Sequence, residues 1–150
     1  MIRNFSGKYG ALSNFSEYPV EYEGILYPSS EHAFQAAKVV GDDDARIAIS
    51  QLPGPRAAKK AGSKVNLRPD WEQVKYDVMV EILRDKFSHR NPVARQILLG
   101  TGDEELVEGN TWHDNCWGDC SCPKCKDKPG RNLLGTALMQ VRDEIRNEGE

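Results

Sequence analysis

The sequence predicts a helix-rich α+β fold in a single domain, residues 1–150, with a small N-terminal hairpin or sheet. Three observations predict it. Between Asp70 and Phe87, Trp71, Val74, Val78, Met79, Ile82 and Leu83 recur at three- and four-residue spacing, the period of an amphipathic helix. Tyr18 to Tyr22 and Gly24 to Tyr27 are aromatic and β-branched, with Gly24 at a turn between them, the pattern of a hairpin. A length of 150 residues suits one core, since two independent cores would each be thin.

The remaining elements follow in chain order. Pro28-Ser29-Ser30 offers a stop and two N-cap candidates, with Glu31 in the first turn of a helix from Glu31 to Val40. Ala33, Ala36 and Ala37 supply helix propensity, and Gly41 is a plausible stop. A second helix is expected from Asp43 to Leu52, ended by Pro53-Gly54-Pro55, and a third from Pro55 to Gly62. Asp70 is a good N-cap for the long helix; Asn91-Pro92 starts another, closed by Gly100. Glu105 to Glu108 reads as a short strand. Gly109 to Arg131 has no clear period, yet Trp112, Trp117 and the cysteines argue that it is ordered, because disordered segments are poor in such residues. Asn132 to Asn147 closes the chain as an amphipathic helix through Leu133, Leu134, Ala137, Leu138, Val141 and Ile145.

Composition narrows the function. A net charge of −3 argues against coating duplex nucleic acid through bulk charge, which needs many neutralised phosphates. The basic residues are nonetheless grouped: Arg46, Arg56, Lys59, Lys60, Lys64 and Arg68 fall in a stretch without an acid, which is either an anion site or a solvated helix face. No apolar run approaches the roughly 20 residues of a bilayer span, and the N-terminus lacks a secretory core. A cytoplasmic address with no membrane partner is the expectation. All four cysteines, Cys116, Cys120, Cys122 and Cys125, lie in one short segment, which points away from an extracellular disulfide framework and towards reduced thiols or a metal.

Two groups of residues carry chemistry. Glu31, Gln35 and Lys38 stand at i, i+4 and i+7, one face of a helix. At a helix N-terminus the dipole favours the Glu31 anion, so only burial would make it a proton donor near neutral pH. A desolvated Lys38 would be a nucleophile. Ordinary surface charges on an amphipathic helix would show the same spacing. The second group is Asn110-Thr111-Trp112-His113-Asp114-Asn115-Cys116-Trp117-Gly118-Asp119. Its aromatic planes and carboxylates suit a nucleotide-sized ligand, and a packed structural loop would look alike.

Several motifs then resemble one family. Phe5-x-Gly7 through Leu12-Ser13-Asn14-Phe15 resembles the opening of the NADAR family, and Tyr27-Pro28-Ser29-Ser30-Glu31-His32-Ala33-Phe34-Gln35-Ala36-Ala37-Lys38 its signature helix. Ala58-Lys59-Lys60-Ala61-Gly62 and Asp70-Trp71 resemble its middle segment. Asp114-Asn115-Cys116-Trp117-Gly118-Asp119 and Gly130-x-Asn132-x-Leu134-Gly135-x-x-Leu138-Met139-x-Val141-Arg142 resemble its closing motifs. The resemblance implies an N-glycosidase that cuts a ribose C1–N bond. It implies catalysis by Glu31, Lys38 and Asp114, and substrate contacts from Asn14, Phe15, Gln35, Trp71, Trp117, Gly118 and Asn132. One branch removes ADP-ribose from guanine in DNA or RNA, in some cases as an antitoxin beside a cognate ADP-ribosyltransferase toxin. Another cleaves phosphoribosylamino-pyrimidine intermediates of riboflavin synthesis. The first is the leading expectation; a non-catalytic reader of ADP-ribose or nucleotides and a zinc-ribbon-like interaction module are the alternatives.

The cysteines mark a departure, since the riboflavin branch has a glycine-rich stretch where this chain has Cys120-Ser121-Cys122-Pro123-Lys124-Cys125. The departure bears on the substrate more than on the bond cleaved. No cofactor is required by the chemistry. A structural zinc on the Cys116–Cys125 cluster, completed by His113 or Cys116, stands beside reduced structural thiols and redox work as readings of the same residues.

Overall fold

A computed structural model describes residues 1–148. These form six α-helices, a 3₁₀ turn over Gly7–Leu12 and two two-stranded sheets, the helix-rich α+β class that the sequence predicts. No helix among the described residues is long and apolar enough to cross a membrane. The chain divides into two compact units, Asn14–Arg95 and a second made of Met1–Ser13 with the chain from Gln96 onward.

The Asn14–Arg95 unit opens with the expected hairpin, β1 (Val20–Tyr22) antiparallel to β2 (Ile25–Tyr27). Its turn places both Glu23 and Gly24 at positive φ, 47° and 87°, the geometry that matches the twist of a two-residue hairpin. Helix α1 (Ser30–Ala36) follows, with Ser29 as N-cap, and every one of its residues is buried. It packs against α2 (Asp43–Ser50), α3 (Pro55–Gly62), α4 (Trp71–Lys86) and β1. α3 has the predicted bounds.

α1 is shorter than predicted. Past Ala36 the backbone tightens, with Lys38 N bonded to Gln35 O (3.2 Å) and Val39 N to Ala36 O (3.1 Å). The carbonyls that follow accept from outside: Arg68 donates to Ala37 O (3.3 Å) and to Lys38 O (2.9 Å, from its backbone), and Arg46 Nε donates to Val39 O (2.8 Å). Lys38 therefore sits in the turn after the helix. Asp70 occupies the N-cap position of α4 but makes no cap bond; its carboxylate is drawn to Arg68 instead.

In the other unit, the backbone of Ile2 and Arg3 bonds along residues 105–109, from Ile2 N to Glu105 O (2.8 Å), Val107 N to Ile2 O (2.9 Å) and Gly109 N to Arg3 O (3.0 Å). The strand predicted at Glu105–Glu108 is thus realised as a bridge between Ile2 and Leu106. The regular pairing falls later, as β3 (Gly109–Asn110) parallel to β4 (Asp119–Cys120), within the stretch that shows no period in sequence. α5 spans Pro92–Gly100, and α6 (Leu133–Glu148) buries Leu134, Ala137, Leu138, Val141 and Ile145.

Candidate active site

α1 holds its polar residues where water is excluded. Its entry is fixed by Asn14, whose carbonyl accepts from Glu31 N (3.2 Å) and whose Oδ1 accepts from Ser30 Oγ (2.8 Å). Glu31 is 7% exposed, and its Oε1 accepts from Gln35 Nε2 at 2.7 Å. Gln35 is 4% exposed and keeps its Oε1 without a hydrogen-bond partner among the described residues. A buried amide oxygen in that state is costly unless a ligand or water supplies a donor. Gly62 of α3 lies directly against the Gln35 side chain, so close that a Cβ there would overlap it.

Lys38 is half-buried. Burial lowers its pKa below the usual lysine value; the Glu31 carboxylate opposes this, and the Lys59 cation adds to it. Those interactions place Glu31, Lys38 and Lys59 in one electrostatic neighbourhood. The Lys59 ammonium also lies over the ring of the exposed Phe15, 5.9 Å from its centroid. The structure thus brings together Glu31, Gln35, Lys38, Asn14 and Phe15, although Asn14 uses its amide to seat the helix. Trp71 is 6% exposed and packs its indole on Phe34, with ring centroids 5.0 Å apart. That contact supports α1 from beneath.

The basic stretch does not act as one patch. Arg46 is buried, bonded to Val39 O and paired with Glu23 at 3.1 Å, its guanidinium over the Tyr22 ring. Arg68 is paired with Asp70 at 2.7 Å. Lys59 is the cation of that stretch that faces the Glu31–Lys38 region.

Two buried residues escape a reading by motif. His32 is fully buried; its Nε2 faces Leu52 O (3.1 Å), which only accepts, so Nε2 carries a hydrogen, and Nδ1 lies 2.7 Å from Ser29 Oγ. Lys86, at the end of α4, is fully buried, with Nζ bonded to Ser16 Oγ (3.1 Å) and Ser30 Oγ (3.4 Å). Burial alone pulls its pKa down to about 7. The signal for it is positional: Lys86 follows Met79 by seven residues and Leu83 by three, which puts it in the apolar stripe of α4.

In the other unit, the loop residues bond mainly to one another. Asp114 Oδ1 accepts from Cys116 N (3.1 Å) and Trp117 N (2.9 Å), and Asp114 N donates to Asn110 Oδ1 (3.2 Å). One carboxylate oxygen is therefore committed to the turn that presents Trp117, which is half-buried. Gly118 is hemmed in by Glu108 and Asn110, where no side chain would fit. Asn132, at φ 51°, donates to Leu106 O (2.9 Å) and accepts from Glu108 N (3.0 Å). Its amide anchors the start of α6. His113, Cys120, Cys122 and Cys125 converge, with their donor atoms all within 4.8 Å of one another, and Cys116 lies outside that group. A surface concavity of about 920 Å³ near Met1, Arg3, Tyr9 and Gly100–Glu104 contains none of the predicted site residues.

A buried acid on a sunken helix, with a desolvated amine in the turn that follows, is the equipment of an enzyme that moves protons or forms a covalent intermediate. The chain belongs to the NADAR domain family, whose model matches residues 3–146. An N-glycosidase of Nostoc punctiforme is 41% identical, aligned over 93% of this chain and 87% of that one. The N-glycosidase YbiA of Escherichia coli is 38% identical, over 93% and 84%. The NMR structure of E. coli YbiA superposes with a TM-score of 0.80 at 36% identity, covering 99% of this chain and 84% of that chain. A riboflavin biosynthesis protein of Vibrio vulnificus is 38% identical over 91% of this chain but only 36% of its own length. The chain is accordingly a glycosidase of the N-glycosidase type.

Proposed function

We propose that this enzyme hydrolyses the bond between ribose C1 and an exocyclic amine, removing ADP-ribose from guanine bases in nucleic acid. The observation that carries the chemistry is the buried Glu31, hydrogen-bonded to Gln35 and set beside the desolvated Lys38. A reader of nucleotides has no use for that arrangement: a buried acid and a depressed amine cost stability, and the two set side by side are equipped to transfer a proton or a bond. Lys59 supplies a cation for the phosphates of the substrate, and the exposed Phe15 beneath it a surface for a base.

Two routes use these residues. In the first, the aminal opens to an imine and neutral Lys38 Nζ adds to C1. A proton passes to the exocyclic nitrogen, the C1–N bond breaks and guanine leaves. The resulting lysine Schiff base is hydrolysed by water, which frees Nζ and returns ADP-ribose. In the second, Glu31 takes a proton from water as it attacks C1 of an oxocarbenium-like state while another group protonates the leaving nitrogen. Borohydride added during turnover separates them, because it fixes ribose on Lys38 in the first route alone. An ADP-ribosyltransferase that modifies the same base is the partner this activity implies.

A second substrate, a phosphoribosylamino-pyrimidine, is favoured by the names of relatives, the Vibrio vulnificus protein and a chloroplastic riboflavin biosynthesis protein of Zea mays, 33% identical. The test is incubation with a guanine-ADP-ribosylated oligonucleotide, read by mass spectrometry. Release of ADP-ribose with restored guanine, lost in Glu31→Gln while oligonucleotide binding persists, is the expected result. Glu31→Gln should lower kcat by about 10²- to 10⁴-fold, the usual contribution of a positioned acid–base group. No release by folded protein, with turnover of the phosphoribosylamino-pyrimidine, transfers the assignment to the second substrate. Loss of binding and turnover together in Glu31→Gln favours a reader.

A further inference from the structure

We infer that His113, Cys120, Cys122 and Cys125 form a structural zinc site that closes the Asp114–Asp119 segment into a rigid loop. The four donor atoms lie within 4.8 Å of one another. His113 Nδ1 is 3.3 Å from Cys125 Sγ and 3.2 Å from Cys122 Sγ. A tetrahedral zinc with Zn–S of about 2.3 Å and Zn–N of about 2.05 Å has S···N edges of about 3.6 Å and S···S edges of about 3.8 Å. The group is therefore at the size of one coordination shell, and small shifts would seat the ion.

The donors select the metal. Three thiolates and an imidazole suit zinc and exclude the hard cations, which take oxygen ligands. Each thiol that binds gives its proton to solvent, and the shell then carries three negative charges against the two positive charges of the ion. The surroundings meet that excess. The backbone N–H groups of His113 (3.3 Å) and Cys122 (3.5 Å) both point at Cys120 Sγ, and Lys124, Lys126 and Lys128 follow in the same loop. With four protein donors the shell is closed, so the ion has a structural role and offers no open position for water.

The position of the ligands gives the ion its task. His113 and Cys120 stand immediately before and after Asp114–Asp119. His113 holds φ 67°, an uncommon conformation for a residue with a Cβ, and a bond from its ring to a metal would over-determine it. Cys122 and Cys125 tie the outgoing chain to the same point, through a turn closed by Cys125 N to Cys122 O at 3.0 Å. One ion would thus fix both ends of the segment that carries Asp114 and Trp117. The sequence leaves the fourth ligand open between His113 and Cys116; the geometry selects His113, because Cys116 is outside the group.

The test is elemental analysis of untagged protein purified from zinc-supplemented medium, with cobalt titration of the apoprotein. About one zinc per chain, and the visible d–d and thiolate-to-cobalt absorption of a tetrahedral site, are expected. Cys122→Ser should weaken zinc binding at least about tenfold, whereas Cys116→Ser should leave it unchanged. Removing zinc should speed hydrogen exchange at the amides of Cys116, Trp117 and Cys120 and leave α1 unaffected. Zinc absent from folded protein, an octahedral cobalt spectrum, a disulfide among the three thiols, equal loss in Cys116→Ser, or exchange indifferent to zinc would each overturn the inference. If Cys122→Ser does not fold, the cobalt spectrum of the unaltered chain decides.

Discussion

Burial separates Glu31 from the other acids, since it is the one carboxylate among the described residues that is buried. No motif is needed to see what that does: the carboxyl has left water, with Gln35 bonded to it and the amine of Lys38 nearby. Asp114 has the opposite setting, with one oxygen already taken by two backbone amides, which suits shaping the loop. Lys86 gives a prediction at this scale. Its folded pKa of about 7 lies below the unfolded lysine value of 10.5, because burial disfavours the cation. Between those values the unfolded chain binds more protons than the folded one, so this group makes stability rise with pH from about 7 towards 10 and weighs fully against folding below 7. Denaturant unfolding should therefore show a stability that climbs over that window in the unaltered chain. Lys86→Met should flatten the climb, and equal pH slopes in both chains would contradict the assignment. The site was partly legible in sequence: the spacing of Glu31, Gln35 and Lys38 was plain, while their burial and the role of Lys86 depend on contacts from distant residues.

At the scale of elements, α1 and α3 show why some boundaries were readable and others were not. α3 begins at Pro55 and ends at Gly62, residues that set its limits through their own backbone chemistry. α1 stops at Ala36, where the backbone tightens into the bonds of Lys38 N to Gln35 O and Val39 N to Ala36 O while Arg68 and Arg46 hold the carbonyls of Ala37 and Val39, and no local signal announces partners so far along the chain. β3 and β4 are two residues each, too short for any alternation to show. The contact between α1 and α3 also carries a prediction. Alanine at an ordinary helical glycine stabilises by about 0.5–1 kcal/mol. At position 62 the new Cβ would overlap the side chain of the buried Gln35 from its Oε1 back to its Cβ, so that side chain has to shift. Overpacking of this kind costs about 1–3 kcal/mol, so the clash outweighs the propensity gain. Gly62→Ala should lower the unfolding midpoint and, by turning Gln35 away from Glu31, reduce kcat at least tenfold with a small change in KM. A stabilised variant of full activity would show that Gln35 does not position the acid.

For the molecule as a whole, charge sets how it can meet nucleic acid. The net charge is −3, and many of its arginines are already paired within the chain: Arg3 with Asp119, Arg68 with Asp70, Arg90 with Asp85 and Glu21, Arg146 with Asp103. A net negative chain has no bulk attraction for a strand, and recognition of a modified strand must rest on the ADP-ribose and on the base it carries. The salt dependence of binding measures this directly, because each neutralised phosphate of a single strand contributes about −0.7 to the slope of log K against log salt. With Lys59 and one or two neighbouring lysines on the phosphates, the slope should lie between about −1 and −2. The measurement is binding of an ADP-ribosylated oligonucleotide to Glu31→Gln across a potassium chloride series, with the unmodified strand as control. The control should bind too weakly to titrate. A slope steeper than about −4, or equal affinity for both strands, would mean that the backbone rather than the modification is held.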